Sequence, residues 1–204
     1  KTKLEETVYR NFLKTYIDGN ISSGKNYLSF HVIKKYISNL LDLEIQQAEH
    51  HEVKIIALEQ TMSVTLNIEE IEHPVILKGK LDRIDEEDGT IRVIDYKTGR
   101  VERKHVEILS WEDMVHDYKY SKAFQLLCYA FMYSKERANQ PLVAGIISLK
   151  NLKDGTLLFA QKEAPRGPKN HTITSETLAN FETVLHKLIL EIHNQEQPFI
   201  EQEV

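Results

Sequence analysis

A single cysteine, Cys128, rules out an internal disulfide, a four-cysteine zinc site and a cysteine-ligated iron–sulfur cluster within this chain. No stretch approaches the roughly eighteen consecutive apolar residues of a membrane-spanning helix, so no membrane partner is expected. No GxxxxGK[ST] loop is present, which excludes ATP binding by that route. There is no internal repeat and no low-complexity segment. The first residue is Lys1 rather than Met, and no charged-then-apolar leader follows it. The expectation is a cytoplasmic fragment of a longer chain, without a secretory signal. Nor is there an excess of base: the net charge of -5 argues against a protein that coats a polyanion by bulk electrostatics.

What is present is ordinary for a globular protein: 204 residues, 41% hydrophobic and 28% charged. That length fits one domain, 1–204. The charge is unevenly spread. Asp42, Glu44, Glu49, Glu52, Glu59, Glu69, Glu70 and Glu72 form an acidic stretch relieved only by Lys54. From Lys150 to Lys169 the balance reverses, with Lys150, Lys153, Lys162, Arg166 and Lys169 against Asp154 and Glu163. Such segments are either solvated faces of unlike sign or a local polyanion contact. The Lys162–His171 loop, with Arg166 and Lys169 among Pro and Gly residues, is the preferred place for a secondary phosphate contact.

Periodicity predicts the elements. Val8, Phe12, Leu13 and Tyr16 space as an amphipathic helix ending near Asp18-Gly19. A long helix runs from about Tyr27 to His50, with Ile33, Ile37, Leu40, Leu41 and Leu43 on one side. Strands are expected at Val53–Glu59, Met62–Ile68, Val75–Asp85, Thr90–Tyr96, Leu142–Leu149 and Thr156–Ala160. Helices are expected at Tyr120–Arg137 and Ser175–His193. This order suggests one mixed sheet flanked by helices. Residues 1–50 form a helical part, 53–150 the core, and 151–204 a strand with a closing helix.

The informative stretch is a hairpin. Asp88-Gly89 signals a type I′ turn, which needs positive φ at both central positions. In that register Asp85 faces Arg92, Ile84 faces Val93, Asp82 faces Asp95, and Lys80 faces Lys97. Lys97 shares the face of Asp95, two residues away. Two carboxylates directly opposite, within about 5.5 Å at Cβ, repel. A shared proton or a divalent cation with a taste for hard oxygen, Mg²⁺ or Mn²⁺, would compensate. Lys97 could then stabilise a developing anion or position a water. The plainer alternative is a pair of surface charges on an edge hairpin. On the following helix Lys122, Gln125 and Tyr129 share a stripe, facing either solvent, a phosphate backbone or the site water. Leu126, Leu127, Ala130 and Phe131 would pack on the sheet.

Gly79-Lys80-Leu81-Asp82-Arg83-Ile84-Asp85, then Ile94-Asp95-Tyr96-Lys97-Thr98-Gly99, then Gln125-Leu126-Leu127-Cys128-Tyr129-Ala130 together resemble the RecB-like nuclease branch of the PD-(D/E)XK superfamily. The resemblance covers roughly residues 53–150. It implies a restriction-endonuclease-like α/β fold, a mixed β-sheet flanked by helices. It also implies Mg²⁺ or Mn²⁺ held by Asp82, Asp95 and the Tyr96 backbone carbonyl, with Lys97 assisting the attacking water. Gln125 and Tyr129 would support DNA and the metal site. The implied activity is DNA phosphodiester hydrolysis, often by an exonuclease of repair and recombination attached to a helicase domain or subunit. The competing reading is a non-catalytic nuclease-like module that binds DNA or a protein. His31, in Leu28-Ser29-Phe30-His31-Val32, lacks the small-residue–x–x–x–His-Glu setting of the family's upstream metal ligand, and that role is not carried over. The chain stops about where some relatives place three cluster-binding cysteines.

Other residues point to structure. His50-His51 beside Glu52 reads as a helix end rather than a zinc site. Cys128 reads as a buried thiol, and Trp111 as an anchor for the connector after the hairpin rather than a base-stacking platform. Glu59 reads as an exposed strand-end glutamate, with an extra ligand as the alternative.

Overall fold

The structure, a computed structural model, describes residues 2–16, 20–137, 140–198 and 200. Two helices come first, α1 (Thr2–Thr15) and α2 (Gly24–His50). A sheet follows from β1 (Val53–Leu66), β2 (Val75–Glu87) and β3 (Thr90–Lys97). A connector carries β4 (Glu107–Ile108) and the short α3 (Asp113–His116) into α4 (Ser121–Glu136). Then come β5 (Leu142–Ser148), β6 (Thr156–Leu158), β7 (Ala160–Lys162), β8 (Lys169–Asn170) and α5 (Ser175–His193). The main sheet has the order β1-β2-β3-β5-β6, with β3 and β5 parallel and the other pairs antiparallel. A second sheet is ordered β4-β7-β8. The main sheet is the mixed sheet flanked by helices that the element order suggested, and the whole is the restriction-endonuclease-like α/β fold that the resemblance implied.

The β2–β3 turn forms as its dipeptide requires. Asp88 has φ 49° and Gly89 φ 82°, and Asp85 pairs with Arg92 and Ile84 with Val93. The turn is also tied to the end of α2. The Asp88 carboxylate contacts His51 Nδ1 at 2.6 Å and accepts from the Glu52 N–H at 2.9 Å. That gives His51, the C-cap of α2, its role at the helix end.

The core lies between the main sheet and α4. Leu126, Leu127 and Ala130 are fully buried there, and Phe131 nearly so, each large side chain contributing roughly 1.5–3 kcal/mol. β3 carries buried residues on both faces from Ile91 to Asp95, as befits a strand with neighbours on either side. Gly79 lets α4 come close: a Cβ there would stand 3.2 Å from the Tyr129 ring and 2.6 Å from the tip of Met132.

Several expectations change. Val53–Glu59 and Met62–Ile68 are one strand, because pairing with β2 continues through the intervening residues despite a register shift between Ile55 and Ala57. Glu59 is therefore mid-strand, at φ 54°, and its exposed carboxylate pairs with Lys80. Thr156–Ala160 is two strands. Phe159, fully buried, donates its N–H to Ala144 in one sheet while Ala160 donates to Val106 in the other. The first helix ends at Thr15, and Asp18-Gly19 lies outside the described residues. In α2 only Phe30 is buried, in a small cluster with Val8 and Phe12, whereas Ile33 and Leu41 are exposed. The helix touches the sheet through a charge instead of through that apolar side.

That charge contact belongs to a buried network. Arg92 grips Asp85 with two hydrogen bonds, 2.6 and 2.9 Å, and also pairs with Glu87. Arg83 Nε lies 2.5 Å from Asp85 Oδ2, and its Nη1 donates to Glu44 on α2 at 2.7 Å and to the Tyr96 hydroxyl at 3.1 Å. Asp85 is fully buried, so removing its charge leaves two buried guanidinium groups short of a partner. Asp85→Ala is expected to lower unfolding free energy by about 3–5 kcal/mol in a urea titration. A loss under about 1 kcal/mol would mean that the network contributes no more than an exposed ion pair does.

Candidate active site

Asp82 sits at a break in both ladders that flank it. On one side Leu58 pairs with Arg83 and Gln60 with Leu81, while Glu59, the residue between, has the positive φ. On the other side pairing of β2 with β3 runs from Glu87–Thr90 to Arg83–Ile94 and stops. The expected direct pairing of Asp82 with Asp95, and of Lys80 with Lys97, is not made. β3 instead keeps its parallel pairing with β5 out to Lys97–Ser148, which draws it away from β2. The Asp82 carboxylate fills part of the opening and accepts the Tyr96 N–H at 2.9 Å. Interrupted ladders of this kind re-aim side chains next to functional sites.

Asp95 points into the same opening from β3. It is 3% exposed, and its Oδ2 lies 2.9 Å from Lys97 Nζ. That contact is charge against charge and lacks the angle of a hydrogen bond, so Oδ2 remains a buried acceptor without a directed donor. Burial pushes the Asp95 carboxyl above its usual range; the Lys97 ammonium pulls it back, and the charge of Asp82 adds to the rise. Gln125 Nε2, on α4, approaches Asp95 Oδ1 at 3.4 Å and donates to the Tyr129 hydroxyl at 2.8 Å. Tyr129 is pushed upward by burial, with Gln125 opposing, and it feels the charges of Asp95, Lys97 and Asp82. All five side chains named from the sequence therefore meet at one place, with the backbone of Tyr96 between Asp95 and Lys97.

The donor set suits a hard cation. Two carboxylates, one with an unsatisfied buried oxygen, meet the need of an ion such as Mg²⁺, held by one or two carboxylates plus substrate oxygens. Among the described residues no group of three or more His, Cys, Asp or Glu side chains is arranged to hold a metal. Glu59 is turned to Lys80, and His31 lies against the rings of Tyr27 and Phe30, at 4.3 and 5.5 Å. Cys128 is held as a neutral thiol, pushed up to about 12 by burial. Trp111 is packed against the main core.

Sequence reasoning missed the far side of this site. Tyr96 turns its hydroxyl to Arg83, so that Glu44, Arg83 and Tyr96 brace the two strands just where they separate. Burial alone would lower the Arg83 pKa, but Glu44 and Tyr96 outweigh it and hold the guanidinium charged. The facing of Asp85 and Arg92 in the hairpin was the one visible trace of this network. In the basic loop, two of the cations have an internal partner. Lys162 and Lys169 both point at Glu107, at 2.6 and 2.5 Å. Burial raises the Glu107 pKa, yet those two ammonium groups more than reverse it. Both serve an internal carboxylate, while Arg166, the other base named in that loop, is exposed and makes no ion pair among the described residues.

The sequence model of the PD-(D/E)XK nuclease superfamily matches residues 2–203. No curated protein matches the chain. Among solved structures, the crystal structure of SSO0001 is similar over 91% of this chain and 84% of that one, at 12% identity and a TM-score of 0.36. No helix among the described residues is long and apolar enough to cross a membrane.

The raised Asp95 pKa has a consequence for stability. In the folded state Asp95 holds its proton to higher pH than in the unfolded chain, where the value is 3.8. Its contribution is therefore complete below that value and is lost as pH rises through the folded-state pKa. In EDTA, Asp95→Asn is expected to withstand more urea than the parent at pH 7. The advantage should shrink on acidification towards pH 3.8. A parent that is the more stable at pH 7, or a gap independent of pH, would contradict the burial of a charged Asp95.

Proposed function

This chain belongs to the PD-(D/E)XK nuclease superfamily, and on that premise we propose that it hydrolyses DNA phosphodiester bonds with the help of a divalent metal. A fold alone does not assign chemistry, so the reading rests on the site. The observation that carries it is the convergence of Asp82, Asp95 and Lys97 where β2 and β3 separate, with Gln125 and Tyr129 above them. Asp82, Asp95 and the Tyr96 backbone carbonyl are the groups that would hold Mg²⁺ or Mn²⁺. Bound there, such an ion would neutralise phosphate charge and make a bound water more acidic.

The remaining work falls to the protein. The Tyr96 N–H fixes one Asp82 oxygen, which leaves the other to face the site. Lys97, about a third exposed and beside Asp95, puts a positive charge where negative charge develops on the phosphate. It also orients a water by donating to it. Gln125, tied to Tyr129, contacts Asp95 from above and closes that side of the site.

The three motifs in order support a RecB-like exonuclease of repair or recombination, working with a helicase domain or subunit. We read 1–204 as a single nuclease domain of a cytoplasmic protein. The absence of a third acidic or histidine ligand among the described residues favours a second reading, a non-catalytic module that binds DNA or protein.

Cleavage assays with Mn²⁺ separate the two. The parent should degrade DNA, and Asp82→Ala, Asp95→Ala and Lys97→Ala should each lose about 100-fold or more in rate while keeping the parent's circular dichroism. Full activity in any one of the three would sink the assignment. A folded parent that binds no Mn²⁺ and cuts neither single nor double strands would favour the module.

A further inference from the structure

We propose that the segment from Lys97 to Val106, together with Lys122 at the start of α4, forms the surface on which the DNA backbone lies as it enters the site. The proposal rests on the nuclease reading above and says where the polyanion runs.

The surface is continuous with the site at two points. Lys97 stands beside Asp95, and the chain then continues through the exposed Thr98, Gly99 and Arg100. On α4, Lys122 lies one turn before Gln125 on the same stripe, about 5–6 Å away between Cβ atoms. The two pieces meet, because the turn Arg103–His105 packs against α4. Both Lys122 and Lys104 lie near enough to His105 to depress its pKa, after the larger effect of burial. His105 itself adds no charge at neutral pH. Its Nδ1 accepts the Glu102 N–H at 3.2 Å and holds the turn closed.

The backbone of this segment is fixed, with Val101 and Val106 buried, although Arg100, Arg103 and Lys104 are exposed. Ser148 Oγ donates to the Gly99 carbonyl at 2.8 Å and accepts the Val101 N–H at 3.2 Å, and Asn151 donates to the Val101 carbonyl at 3.1 Å. Cations held on a rigid backbone lose less freedom on meeting a ligand.

The charge count is one-sided. Lys97, Arg100, Arg103 and Lys104 stand against Glu102, the one acid between Lys97 and Val106. Glu102 is shared by Lys104 at 3.0 Å and Arg100 at 3.5 Å. Among the described residues Arg103 and Lys122 make no ion pair. The Lys162 and Lys169 ammonium groups, by contrast, both serve Glu107. Lys150, Lys153 and Arg166 are exposed as well and make no ion pair among the described residues. What sets Arg103 and Lys122 apart is therefore their continuity with Lys97 and Gln125; a phosphate backbone is the ligand that a row of such cations beside the site fits.

The test measures binding of the full chain, in EDTA, to fluorescein-labelled single-stranded and duplex oligonucleotides across a salt series. Arg103→Glu/Lys122→Glu should bind about tenfold or more weakly than the parent, with a salt slope smaller by about two. Lys153→Glu/Arg166→Glu, which reverses the same charge on the other basic region, should bind as the parent does. If charge reversal perturbs the fold by circular dichroism, Arg103→Gln/Lys122→Gln carries the same expectation in smaller measure. Parent-like binding by the Arg103/Lys122 variants, or equal losses in both pairs, overturns the entry surface. If that happens while the parent still cleaves DNA with Mn²⁺, the nuclease reading survives. A parent that neither binds nor cleaves overturns both.

Discussion

Asp82 and Asp95 repel each other, and a two-stranded ladder would place them face to face. Much of the local structure follows from how that repulsion is accommodated. Pairing of the two strands ends at Arg83 and Ile94, just before the carboxylates would meet. The Tyr96 N–H, released from the ladder, bonds to Asp82. Lys97 supplies a counter-charge to Asp95, yet burial still leaves that carboxyl reluctant to ionise. A pair arranged this way is poorly stabilised by the protein alone and well matched to a divalent cation.

An opening in a sheet weakens it unless something holds the strands on either side. Here the opposite face does so. Glu44, Arg83, Asp85, Arg92 and Tyr96 form a network of alternating charge across β2 and β3 that also anchors α2. Buried ion pairs are seldom a net source of stability, because desolvation consumes most of their attraction. Their directed hydrogen bonds, however, allow one register and one spacing. The network thus keeps Asp82 and Asp95 close without letting the ladder shut.

Much of this was legible in the sequence because it rests on local rules. Asp88-Gly89 specifies a turn by positive φ alone, and the turn fixes the facing of Asp85 with Arg92. Spacing by four puts Gln125 and Tyr129 on one stripe, and apolar periodicity puts Leu126, Leu127 and Phe131 on the sheet side. What stayed hidden depends on distant partners. The separation of the strands needs β5, whose parallel pairing holds β3, and no pattern within the hairpin records it. Glu44, the contact of α2 to the sheet, is one of three acids in a helix of mixed pattern, and nothing local marks it out as the partner of Arg83. The loop around Lys162 and Lys169 read as available charge until Glu107, far away in sequence, came between them. Glu59, for which an extra ligand was the alternative reading, proved to be the partner of Lys80.

The central claim is that the gap between Asp82 and Asp95 is a cation site. A crystal soaked in Mn²⁺ and recorded at the manganese edge tests it most directly. An anomalous peak within bonding distance of one oxygen from each carboxylate is the result predicted here. A peak elsewhere with this gap vacant, or Lys97 Nζ occupying the position between the two carboxylates, would contradict it.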